Sequence, residues 1–101
     1  MAKAELVERV ALLIEEGFKE GSVIHLKLTL RERGGRERKE IYTFVRSAAD
    51  PNAIGLFDED DTFMWAIGFN NSTIDWRKVA EGALWAVELF TRTKVVGAEV
   101  V

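Results

Sequence analysis

The alternation between Ser22 and Arg46 constrains this chain more tightly than any other feature. Ile24, Leu26, Leu28 and Leu30 alternate with His25, Lys27, Thr29 and Arg31, the two-residue period of a strand with one buried face. Gly34-Gly35 follows and supplies the positive φ that a two-residue hairpin turn demands. With those glycines as the turn, Arg33 faces Arg36, and counting back sets Leu28 beside Ile41, Leu26 beside Thr43 and Ile24 beside Val45 as the core face. The other face then pairs His25 with Phe44, Lys27 with Tyr42, Thr29 with Glu40 and Arg31 with Arg38, since directly opposed residues share a side of the sheet. Two large aromatics among basic groups on a wet face suggest a binding surface.

The remaining segments read as support for this hairpin. Leu6, Val10, Leu13, Ile14 and Phe18 recur at helical spacing, so a first helix is expected over about residues 2–19, ended near Gly21. Beyond the hairpin, Pro51 marks a turn, and a second strand pair is expected at 53–57 and 62–69, joined by the acidic loop Asp58 to Asp61. Its bulky face (Ile54, Leu56, Phe63, Trp65, Ile67, Phe69) is expected to continue the core. The small-residue face, with Ala53, Gly55 and Phe57, then lies outside beside Tyr42 and Phe44. A second helix is expected to start near Ser72 or Thr73, where Ser72 and Asp75 have capping-box spacing, and to carry Trp76, Val79, Ala80, Ala83, Leu84, Val87 and Phe90 on one face. Gly82 in its interior costs about 1 kcal/mol against alanine and signals a close approach. Residues 94–101 are β-prone and available as an edge strand or a dimer contact.

These elements give one α+β domain over residues 1–101. The expected architecture is a four-stranded antiparallel meander with both helices on one face, in the order α-β-β-β-β-α, and a C-terminal edge strand as an addition. The other face of the sheet is left open. A 48% hydrophobic and 31% charged composition is that of a globular chain. No apolar run approaches a bilayer span and the N-terminus lacks the order of a signal peptide, so a cytoplasmic location without membrane contact is expected. The absence of cysteine excludes disulfides and thiolate metal sites. The absence of glutamine, with heavy use of Arg, Glu and Val, leans toward a thermophile.

Net charge is −3, but unevenly placed. Residues 25–46 hold seven basic and three acidic side chains, whereas 47–63 hold five acidic and no basic ones. Such polarity attracts an anion to one end and repels it from the other. Single-stranded nucleic acid needs aromatic faces for its bases and cations for its phosphates, each stacked base contributing roughly 1 to 3 kcal/mol. Tyr42, Phe44, Phe57 and Trp65 supply the first, and Lys27, Arg31, Arg33, Arg36 and Arg38 the second. A solvated ladder of alternating charges, with aromatics buried by a partner, explains the same residues without a ligand. His25, the one histidine, has Glu40 within diagonal reach, but no nucleophile accompanies it. The Asp58 to Asp61 loop lacks the spacing of a calcium loop. No catalytic residue, metal site or cofactor is therefore assigned, and no enzyme is expected.

This outline, with Arg31 to Arg38 at a hairpin tip and Phe63, Trp65 and Trp76 nearby, is similar to the ThermoDBP-type single-stranded-DNA-binding proteins of hyperthermophilic archaea. The resemblance covers architecture and composition, with no motif alignable residue by residue. It implies an aromatic cleft flanked by basic residues, binding of single strands with little sequence preference, and a homodimer. The chain departs from that pattern in having no C-terminal coiled-coil extension. The expectation is thus a non-enzymatic protein that binds single-stranded nucleic acid, DNA before RNA, on its open sheet face. The alternative is a protein-interaction or self-association module that uses the same face or an edge strand.

Overall fold

The computed structural model describes residues 2–70 and 73–101, so the expected Ser72 cap lies outside the described residues. The elements follow in the order α1 (Lys3–Phe18), β1 (Val23–Arg31), β2 (Glu37–Arg46), β3 (Ala53–Phe57), β4 (Phe63–Gly68), α2 (Trp76–Thr91) and β5 (Lys94–Val100). The α+β class and the two helices over an open antiparallel sheet are as expected, but the sheet has five strands, in the order β4-β3-β2-β1-β5. The expected meander accounts for four of them. The fifth pairs antiparallel with β1, at the far edge from β4.

Each helix is amphipathic for a visible reason. Leu6, Val7, Val10, Ala11, Ile14 and Phe18 form the buried stripe of α1, and Val79, Ala80, Ala83, Leu84, Ala86 and Val87 that of α2. Asp75 caps α2, its Oδ1 accepting from the Lys78 amide at 3.2 Å, which satisfies one of the free N–H groups of the first turn. The helices meet where the Phe18 and Trp76 rings stack at 5.6 Å. A Cβ on Gly82 would lie 2.0 Å from Trp65 Cζ2. Glycine there lets α2 press onto the indole of β4, the close approach its placement in a helix signals.

The hairpin forms, but in another register. Arg31 faces Glu37, Leu28 faces Glu40, Leu26 faces Tyr42 and Ile24 faces Phe44. The loop is three residues long: Gly35 N–H donates to Glu32 O at 2.8 Å, Glu32 N–H donates to Arg36 O at 2.8 Å, and only Gly35 of the two glycines has positive φ, at 92°. This is a β-turn closed by a left-handed glycine. One added loop residue moves every β2 side chain to the opposite face. Tyr42 and Phe44, expected on the open face, are therefore each 1% exposed in the core, beside Leu26 and Ile24. Ile41, Thr43 and Val45 take the outer positions.

In the second strand pair the bulky face is the core face, as expected: Ile54 and Leu56 are fully buried, and Trp65 and Ile67 pack against the core. An irregularity after Leu56 pairs Phe57 with Phe63. Phe63 consequently leaves the core face and is 58% exposed, meeting Phe57 edge-on at 5.7 Å, while Met64 packs against the core in its place.

Candidate nucleic-acid interface

The residues expected to bind nucleic acid divide into three groups. Tyr42 and Phe44 are inside the core, and Trp65 is half-buried against α2, so none of these three rings lies on the open face. Phe57 is on the open face, half-buried against Phe63. The five cations all stand at or near the surface, but with different partners.

Arg31 donates from Nε and Nη2 to Glu37 Oε2 at 3.0 and 2.7 Å. Arg38 bonds Glu40 Oε2 at 3.0 Å and also Glu32. Glu40 in turn accepts from the Tyr42 hydroxyl at 2.6 Å. Burial, reinforced by that hydrogen bond, pushes the Tyr42 hydroxyl pKa well above its ordinary value. Arg38 is thereby committed to the hairpin's own carboxylates. Among the described residues, Lys27, Arg33 and Arg36 have no acidic partner within ion-pair distance.

Two cations absent from the sequence-based set join them. Arg92 caps the C-terminus of α2 in a left-handed conformation, φ 56° and ψ 41°, and the chain turns at once into β5, where Lys94 pairs with Arg31. Arg31, Arg33, Arg92 and Lys94, with Glu32, Gly35 and Thr93, line a shallow cleft of about 580 Å³. Four cations face one carboxylate there. The sequence signal for Arg92 and Lys94 is the basic Thr-Arg-Thr-Lys segment after the second helix, but only the pairing of β5 with β1 brings it to the hairpin.

The acidic loop is not at the opposite end of the molecule. In a meander the first and third turns fall on the same side, so Asp58 to Asp61 flank the hairpin laterally, with Glu59 accepting from the Ile41 amide at 2.7 Å. His25 Nδ1 lies 2.8 Å from Thr43 Oγ1, and the two line a shallow depression with Ile41, Asp58, Glu59 and Asp61. Glu40 points to the other face and cannot assist His25. Among the described residues no cluster of His, Cys, Asp or Glu has the geometry to hold a metal ion, and no helix is long and apolar enough to cross a membrane.

Comparison with protein-family models, with curated proteins and with solved structures gives no significant match to this chain.

Proposed function

We propose that this protein binds single-stranded nucleic acid, DNA before RNA, without catalysing a reaction on it, and that the phosphates enter at the basic end of the hairpin. The reading rests on the cleft in which Arg31, Arg33, Arg92 and Lys94 face a single carboxylate, Glu32. Flexible cations on two adjoining turns can follow a backbone of phosphates, and a wide cleft imposes no base identity. Lys27 and Arg36 extend the positive track along the hairpin, and Phe57 with Phe63 is the ring pair left on the open face for stacking. Binding is carried more by charge than by aromatic faces, because three of the four expected rings belong to the core or its margin. The similarity to ThermoDBP-type proteins implies the same class of ligand.

Fluorescence anisotropy of a labelled oligonucleotide tests this. Affinity should fall steeply with salt, with a logarithmic slope of about −0.7 for each phosphate contact on a single strand. Arg33→Ala combined with Lys94→Ala removes two cations without breaking an ion pair. It should weaken binding about tenfold at low salt and flatten the slope by roughly 1.4, two contacts' worth. No binding at low salt, or binding indifferent to the double substitution, refutes the proposal.

A further inference from the structure

The two edges of the sheet are unequally protected. On β5, the outward carbonyl of Ala98 accepts from Arg9 Nε at 2.7 Å, Lys94 and Glu99 add charges, and an irregularity near Val96 breaks the ladder with β1. Each of these blunts an edge against a further strand. On β4 the sequence is Phe-Met-Trp-Ala-Ile-Gly, six residues without charge or proline.

The ladder fixes which groups of β4 face outward. Phe69 N–H donates to Asn52 O, and Ile54 faces Ile67 while Leu56 faces Trp65. Hydrogen-bonded and non-bonded pairs alternate in an antiparallel sheet, so Trp65, Ile67 and Phe69 turn their main chains to β3. Ala66 and Gly68 turn theirs away. Among the described residues nothing hydrogen-bonds to those outward groups, and both residues are exposed. The core beneath is also unfinished at this edge. Ile54 and Leu56 on β3 are fully buried, whereas Trp65 and Ile67 on the same face of β4 stay half-buried even though α2 packs onto Trp65, so the outer flank of these two side chains is left uncovered. Phe63 and Phe90, 58% and 64% exposed, line one shallow depression at the N-terminal end of β4.

We propose that β4 is a self-association edge, which a second copy of this chain joins by antiparallel pairing of β4 with β4. A two-fold axis perpendicular to the sheet and passing by Ala66 satisfies every constraint at once. Ala66 then faces Ala66 of the second copy, matching outward group to outward group. Trp65 falls opposite Ile67 of the second copy on the core face, and the unfinished core becomes continuous across the junction. The helices stay on one side, giving a ten-stranded sheet. No charge is desolvated, because β4 has none. Each acidic loop lies at the N-terminal end of its own β4, so the two loops stand at opposite ends of the shared ladder, roughly 20 Å apart for a six-residue strand, well beyond the screening length of about 8 Å at physiological salt. A strand from a highly charged partner would forfeit this match of neutral surface to neutral surface.

Sedimentation equilibrium of the purified chain, without nucleic acid, tests the proposal independently of ligand binding. The expected result is a concentration-dependent doubling of mass that survives 0.5 M salt. Ala66→Pro removes an outward N–H that the monomer does not use, a change tolerated on an edge strand, and Ala66→Lys places a charge at the axis. Both should be monomeric, with unchanged far-ultraviolet circular dichroism. Hydrogen exchange of the unmodified protein gives a readout without substitution: the Ala66 and Gly68 amides should slow as concentration rises. A strict monomer at millimolar concentration, a dimer untouched by both substitutions, or exchange at these amides indifferent to concentration overturns the proposal.

Discussion

Tyr42 sits in the core with one polar atom, and that atom donates to Glu40, which also holds Arg38. The hydroxyl is thus satisfied only while neutral, and its upward shift has burial as the first cause and the Glu40 hydrogen bond as the second. A phenol whose folded pKa exceeds its unfolded value of about 10 contributes stability that is complete below that pH and is lost as pH rises from there toward the folded pKa. Tyr42→Phe should therefore cost about 1 kcal/mol at pH 7, the usual net value of an intramolecular hydrogen bond. Above pH 10 or so the difference should shrink, because only the tyrosine protein loses stability by this route. Urea denaturation of both proteins at pH 7 and pH 11 measures it; a difference that grows with pH contradicts the assignment.

At the scale of elements, the fold turns on the loop between β1 and β2. Gly35, at φ 92°, holds the left-handed position that closes a three-residue loop, and no heavy atom stands within 4 Å of where its Cβ would be. Gly35→Ala thus isolates backbone strain from crowding, and should destabilise by about 1 to 2 kcal/mol in equilibrium denaturation. Gly34→Ala, without positive φ, should cost less. The same loop explains what the sequence could and could not reveal. The alternation of Ile24 to Leu30 identifies β1 and its buried face without any partner, and the burial stripes of α1 and α2 are legible for the same reason. Facing in β2 is different, since Ile41, Thr43 and Val45 alternate with Tyr42 and Phe44 and both sets are plausible in a core. Two adjacent glycines fit a two-residue and a three-residue loop alike, and one residue decides whether the aromatics face ligand or helices. The basic hairpin was readable; the burial of its aromatics was not. Arg92 and Lys94 depend on a strand pairing between segments more than sixty residues apart in sequence, which no local pattern encodes.

For the whole molecule, the charge pattern is lateral rather than end to end. The Asp58 to Asp61 loop flanks the middle of the hairpin, beside Ile41 and Thr43, across from Lys27, while the basic cleft lies about six residues, roughly 20 Å, further along the same hairpin. A bound strand would be confined between a positive track and a negative wall. Glu59→Gln, Asp60→Asn and Asp61→Asn together should strengthen oligonucleotide binding a few-fold at low salt, and the gain should vanish by about 1 M salt, where screening shortens to roughly 3 Å. Anisotropy titrations at several salt concentrations would show it; a gain that persists at high salt would mean the loop acts by contact instead. The pairing of β5 with β1 also carries a consequence for how the chain is made. The hairpin and the two strands after it close short loops and can form early, but β1 has no neighbour on its outer side until residues 94–100 have been synthesised and α2 has carried them across the sheet. Closing so long a loop adds to the entropic barrier and slows folding. Until it closes, β1, the most regular strand in the protein, is an open template to which other nascent chains can add.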